Sequence, residues 1–165
     1  MTTITTALTG PDRPVRSDLT SWRIFRASAA LSVIAGGLVA AVTGPLALTQ
    51  GSWLAAYLVL VCGVGGFGIG TMQAHSATPL SPWLAWMQLC AWAAGNAAVI
   101  VGSLTGVPLG VDVGVVLLEV ALVVALFAAP GGAVVGLAKS WAYRGLLMVL
   151  IFSAPIGSVL SHMRH

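Results

Sequence analysis

The stretch between Arg26 and Lys139 contains no Lys or Arg and only two acidic residues, Asp112 and Glu119. The chain as a whole is 58% hydrophobic and 7% charged, whereas soluble domains carry about 25% charged residues. A soluble domain of this length could not cover its surface with so few charges. The sequence therefore predicts an all-α fold, a polytopic transmembrane helical bundle.

Five apolar runs follow one another along the chain, each close to the roughly 20 residues that a helix needs to cross a bilayer. The breaks between them are rich in Gly, Pro, Ser and Thr, which are typical of turns. Residues 1–20 are polar and are predicted to be a disordered cytoplasmic tail. Residues 21–165 are predicted to be one transmembrane domain with five spans, at 27–48, 53–74, 83–103, 111–129 and 141–160. Pro130 leaves open whether the fourth helix continues beyond its span.

The basic residues predict the orientation of these spans, because cytoplasmic loops carry an excess of Lys and Arg. Four Arg precede the first span, Lys139 and Arg144 flank the fifth, and only Arg164 follows it. We therefore expect the N-terminus in the cytoplasm and the C-terminus outside. The single Lys beside six Arg, with abundant Ala and Gly, is typical of GC-rich bacterial genomes and favours a bacterial plasma membrane. Most tryptophans fall at the starts of spans, where an aromatic belt is expected: Trp22, Trp53, Trp83, Trp86 and Trp141.

Small residues recur every four positions in the first three spans, a pattern that lets helix backbones approach closely in lipid. We predict that these faces pack helices together, either within one chain or between copies or complex partners. The glycines singled out for this role are Gly36, Gly44, Gly66, Gly70 and Gly102.

Glu119 stands alone among apolar residues of the fourth span. A charged group at the centre of a bilayer costs about 2.5–3.5 kcal/mol or more, so intramembrane acids often mark ion paths. Asn96 of the third span is expected at nearly the same depth, and Asp112 lies seven residues from Glu119, on the same helix face. Two interpretations follow: a proton or cation site built from these three residues, or a protonated Glu119 hydrogen-bonded to Asn96 as structural glue.

Met72 and His75 form an M-x-x-H pattern at the end of the second span, and Met87 lies near it at the start of the third. Thioether and imidazole are plausible ligands for copper or haem. His162 lies at the opposite end of the predicted bundle, so no second histidine reaches the depth of His75. We predict no metal and no cofactor, with Met72 and His75 as the weak candidates.

Catalytic patterns do not stand out in the chain. A literal G-x-G-x-x-G at residues 63–68 lacks the acidic residue that a dinucleotide site needs about 20 positions later. Cys62 and Cys90 fall inside apolar runs and are typical of small buried residues. The basic residues form flanks, not the basic face of a nucleic-acid-binding protein. We expect a non-enzymatic membrane subunit or scaffold, with the lipid bilayer and a copy or complex partner as its contacts. The alternatives are a small transporter or proton-linked component using Glu119, and a metal- or haem-associated protein using His75.

Overall fold

The computed structural model describes residues 18–76, 80–129 and 136–162, and side chains from residue 22 to residue 153 within those ranges. The described part of the chain is built from helices and contains no strand, which confirms the predicted all-α class. Five helices follow one another: α1 (Asp18–Thr43), α2 (Gly51–Ala74), α3 (Pro82–Thr105), α4 (Pro108–Phe127) and α5 (Leu137–His162). Residues 1–17 of the predicted tail lie outside the described residues.

Four of these helices are long and apolar enough to cross a membrane. They comprise Trp22–Thr43 of α1 and the whole of α2, α3 and α4, which contain 20 to 24 residues each. The chain is therefore compatible with a membrane-embedded protein. The predicted fifth span corresponds to α5, which is not among these four, so the count of five stays a prediction.

The outer surface of the bundle is apolar, unlike that of a soluble protein, and a few polar side chains are buried within its apolar core. Large apolar side chains such as Leu31 (66% exposed) and Phe127 (88% exposed) point outward from the bundle. The polar side chains of Gln88 and Asn96 are buried inside it. A soluble protein avoids large exposed apolar surfaces and keeps polar groups in water. This distribution is the one expected when lipid is the surrounding solvent.

The first helix ends five residues before the predicted end of its span. It ends at Thr43 because Pro45 cannot donate a backbone hydrogen bond and disfavours helical geometry in the residue before it. Ala47 then adopts a positive φ of 47°, which turns the chain toward α2. The fourth helix ends at Phe127, and the segment from Pro130 to residue 135, where its continuation was left open, lies outside the described residues.

The connection between α3 and α4 consists of only two residues. Ser81 caps the start of α3 by accepting a hydrogen bond from Leu84 N. At its other end Gly106 adopts a left-handed φ of 67°, and Val107 N donates to Gly102 O at 2.9 Å. Pro108 then begins α4 at a position where its missing N–H needs no partner. Two adjacent helices are thereby held in a tight antiparallel hairpin.

The remaining contacts show that helices which follow one another along the chain run antiparallel. Gly36 of α1 lies beside Ala55 of α2, and Gly70 lies beside Phe25. In the same way α5 runs against α2, with Leu146 beside Gly68. The start of α1, the end of α2 and the start of α5 therefore lie at one end of the bundle. We call it the basic end because its described charged side chains are all basic: Arg23, Arg26, Lys139 and Arg144.

Candidate functional site

The closest helix contact in the bundle is a glycine seam between α3 and α4. A Cβ placed on Gly114 would lie 2.7 Å from Val99 N and 2.8 Å from Gly95 O. A Cβ on Gly102 would lie 2.7 Å from Val111 N. Real Cβ atoms do not approach backbone atoms so closely, so only glycine fits at these positions. The seam, formed by Gly95, Gly102, Gly110 and Gly114, brings the two backbones into direct contact.

The glycines predicted to pack helices have different surroundings. Gly36, Gly66 and Gly70 are buried between α1 and α2, and Gly102 belongs to the glycine seam. Gly44 does not fit the prediction: a Cβ there would meet nothing within 4 Å. The reason is that α1 has already ended at Thr43, so Gly44 lies in the turn and not on a helix face.

The middle of α2 departs from α-helical geometry. Leu58–Gly65 is a π-helix, in which backbone hydrogen bonds join residues five apart. In an α-helix, side chains five apart point about 140° away from each other. The wider π turn instead lets Tyr57 and Cys62 reach the same atom on the neighbouring helix. Such segments are rare and occur frequently at functional sites.

That shared atom is Oδ1 of Asn96 on α3. It accepts a hydrogen bond from the Tyr57 hydroxyl at 3.0 Å and another from the Cys62 thiol at 3.1 Å. The Asn96 amide nitrogen donates to Trp92 O at 2.8 Å, and the Trp53 ring stacks on Tyr57. We call Tyr57, Cys62 and Asn96 the asparagine cluster. It contains no charged group, and its polar atoms bond to one another, so it ties α2 to α3.

A second polar connection crosses three helices nearer the basic end. Gln73 of α2 donates its amide to Gln88 Oε1 of α3 at 2.6 Å. The Gln88 side chain, which is fully buried, donates in turn to Ala121 O of α4 at 3.1 Å. A buried amide without partners would be costly in an apolar interior. This chain of hydrogen bonds therefore sets which faces of α2, α3 and α4 meet.

The expected pair between Asn96 and Glu119 is not formed among the described residues. Gly95, the neighbour of Asn96, faces Gly114 and Leu118 of α4, so Asn96 itself is turned toward α2. Glu119 is half-buried on the flank of α4, and no described residue bonds to its carboxylate. Asp112, also half-buried, has an interaction of its own. The three predicted site residues thus do not converge on one point.

The metal candidates lie at the end of α2 and the start of α3. His75 is exposed at the end of α2, and its Nδ1 donates to Thr71 O at 2.7 Å. Met72 and Met87 are half-buried. Within the described ranges, no three His, Cys, Asp or Glu side chains group together as a metal site would require. Cys62 is buried as expected, whereas Cys90 lies on the exposed face of α3.

Sequence reasoning did not single out Tyr57, Gln73, Gln88, Gly110 or Gly114. The last two carried a visible signal, since they are four residues apart in an apolar run, like the small residues noted elsewhere. The two Gln residues also lie inside predicted spans, where an amide needs a partner. No family model, curated protein or solved structure matches this chain.

Proposed function

We propose that the chain is a five-span protein of the bacterial plasma membrane, with a cytoplasmic N-terminus and an external C-terminus. We propose further that it acts as a non-enzymatic subunit or scaffold of a membrane complex. The observation that supports this proposal is the set of hydrogen bonds made by the buried polar side chains. The buried amides of Gln88 and Asn96 bond to neighbouring helices and not to an open cavity.

A transport path would need a series of polar or titratable groups that a solute can reach. In this bundle the glycine seam brings two helices into backbone contact, and the asparagine cluster forms its hydrogen bonds between α2 and α3. Both features favour a closed, rigid bundle. A rigid apolar bundle with short connections is suited to holding other membrane components in place.

The fifth span is supported by the length of α5 and by the distribution of its buried and exposed side chains. It contains 26 residues, which corresponds to about 39 Å at the rise of an α-helix. Leu147 is fully buried and the Tyr143 hydroxyl donates to Ala125 O of α4, so one face packs on the bundle. Met148, Val149 and Phe152 are exposed on the other faces, as expected of a lipid-facing surface.

A fusion experiment tests the topology. Alkaline phosphatase, which is active only outside the cytoplasm, is fused after His165 or after Ser76 in the connection between α2 and α3. We expect the fusion after His165 to be active and the fusion after Ser76 to be inactive. A fluorescent protein that folds only in the cytoplasm should give the opposite pattern. An inactive phosphatase after His165 would mean that α5 does not cross the membrane.

The scaffold role is tested by purification of the full chain from its native membrane in a mild detergent. We expect it to retain a second membrane protein, or a second copy, in a fixed ratio through size-exclusion chromatography. An unrelated multi-span protein with the same tag and expression level is the control. Isolation of the chain as a monomer with no retained protein would contradict the proposal.

One observation favours a second candidate, a proton-linked component. The Glu119 carboxylate lies within the most apolar of the four long helices, and no described residue bonds to it. Under this candidate, liposomes containing the protein take up protons when a membrane potential is imposed, and Glu119→Gln abolishes the uptake. Under the scaffold proposal, uptake equals that of empty liposomes.

Glu119→Leu provides a separate expected result. Because the substitution removes an acid that no described residue bonds, and that lies on an apolar flank, we expect it to stabilise the bundle, by up to about 2.5 kcal/mol. Thermal unfolding in lipid nanodiscs measures the change, with Glu119→Gln as the control that keeps the side-chain shape. A marked loss of stability in Glu119→Leu would show instead that Glu119 holds the bundle together.

A further inference from the structure

A groove runs along the lipid-facing surface of α2, between α1 and α5. On one side Arg26 of α1 lies against Gly70, and on the other side Leu146 of α5 lies against Gly68. The floor of the groove is an apolar stripe of exposed side chains three or four positions apart, Leu60, Val64 and Phe67. Residues at this spacing lie on one face of a helix.

The groove ends at the basic end of the bundle. The Arg26 guanidinium lies 5.5 Å from the centres of both the Trp22 and the Phe67 rings, so it is held in place over the end of the stripe. Lys139 is seven residues before Leu146, on the same face of α5 and about 10 Å closer to the basic end.

An apolar stripe that leads to cationic side chains is chemically complementary to an anionic phospholipid. Its acyl chains match Leu60, Val64 and Phe67, and its phosphate matches the guanidinium and ammonium groups of Arg26 and Lys139. Basic groups between transmembrane helices are a recognised setting for anionic headgroups. Among the described side chains, the two acids Asp112 and Glu119 both belong to α4, not to this groove.

We infer that the groove between α1, α2 and α5 binds one anionic phospholipid, with its headgroup on Arg26 and Lys139. This inference rests on the membrane location in the proposed function and not on the scaffold role. The lipid lies between α1 and α5, both of which pack against α2. It would therefore join the first helix to the last.

The test measures which lipid stays bound to the purified full chain. The protein is mixed in detergent with equal amounts of phosphatidylglycerol and phosphatidylcholine, and native mass spectrometry records the bound species. We expect phosphatidylglycerol to be preferred about tenfold or more, since each basic side chain near an anionic headgroup contributes about fivefold. The double variant Arg26→Gln, Lys139→Gln should reduce the preference to within about twofold.

Arg144→Gln is the matched control. Arg144 is an exposed basic residue near the start of α5, two residues before Leu146 and so on a different face. It should keep the full preference. Because Arg26 also packs on two rings, a second variant, Lys139→Gln alone, leaves those contacts intact and should lower the preference about fivefold.

Three results would overturn the inference. They are equal binding of the two lipids by the unchanged protein, an equal loss of preference in Arg144→Gln, and displacement of phosphatidylglycerol by inorganic phosphate. An equal loss in Arg144→Gln would indicate attraction to the total positive charge of the protein. Displacement by inorganic phosphate would indicate a site for a free anion. The phosphatase fusions decide the topology separately, so a failed lipid test and a failed topology can be told apart.

Discussion

Gly114→Ala is expected to lower the free energy of unfolding by about 2 kcal/mol, because the new methyl group has no room in the glycine seam. Its Cβ would meet Val99 N at 2.7 Å and Gly95 O at 2.8 Å, which are backbone atoms that cannot rotate away. Helices α3 and α4 would have to separate along their length. Equilibrium unfolding in mixed SDS and dodecylmaltoside micelles, followed by tryptophan fluorescence, measures the change.

The control for this variant is Gly37→Ala on α1. Gly37 is also inside a helix, but a Cβ there meets nothing within 4 Å. Alanine is the better helix former by roughly 0.5–1 kcal/mol, so the control should be unchanged or slightly more stable. The comparison isolates packing from helix propensity. Equal stability of the two variants would mean that α3 and α4 do not meet through Gly114.

The glycine seam also shows how far sequence reasoning reaches in a chain of this kind. Spacing by four residues predicted small-residue faces, and the structure places Gly36, Gly66, Gly70 and Gly102 at buried positions. The same spacing does not identify which face meets which. That depends on the two-residue turn at Gly106 and Val107, which places the start of α4 directly beside the end of α3.

Hydropathy alone did not predict where the helices end. The effect of proline on the backbone also had to be considered. The predicted first span ran through Pro45 because the apolar run continues past it, whereas the backbone of proline ends the helix at Thr43. Hydropathy reports the solvent that a segment prefers. It does not report where the backbone hydrogen bonds stop.

The partners of Asn96 could not be predicted from depth alone. Asn96 and Glu119 were expected at similar depth, but a side chain also has a direction around its helix. The π-helical segment Leu58–Gly65 changes the directions of Tyr57 and Cys62, and no residue in it marks that geometry in advance. Its position opposite Asn96 depends on packing between α2 and α3, which single-helix patterns do not contain.

Asn96→Leu is expected to destabilise the protein by about 2 kcal/mol, because it leaves the Tyr57 hydroxyl and the Cys62 thiol without their acceptor. Leucine has the same branched outline and is larger, so the substitution leaves no cavity. The same micelle unfolding experiment gives the value. Thr105→Val is the control, because the Thr105 hydroxyl bonds to Val101 O within its own helix, and its loss should change stability little.

A double-mutant cycle then separates the hydrogen bond from the rest of the substitution. Tyr57→Phe alone should cost about 1 kcal/mol, since it removes one interhelical bond and keeps the ring stacked on Trp53. In the Asn96→Leu background the same change should cost almost nothing, because the hydroxyl has already lost its acceptor. The coupling of about 1 kcal/mol is specific to contact between α2 and α3. Fully additive effects would mean that Tyr57 and Asn96 do not bond in the membrane, and the π-helical segment would then need another explanation.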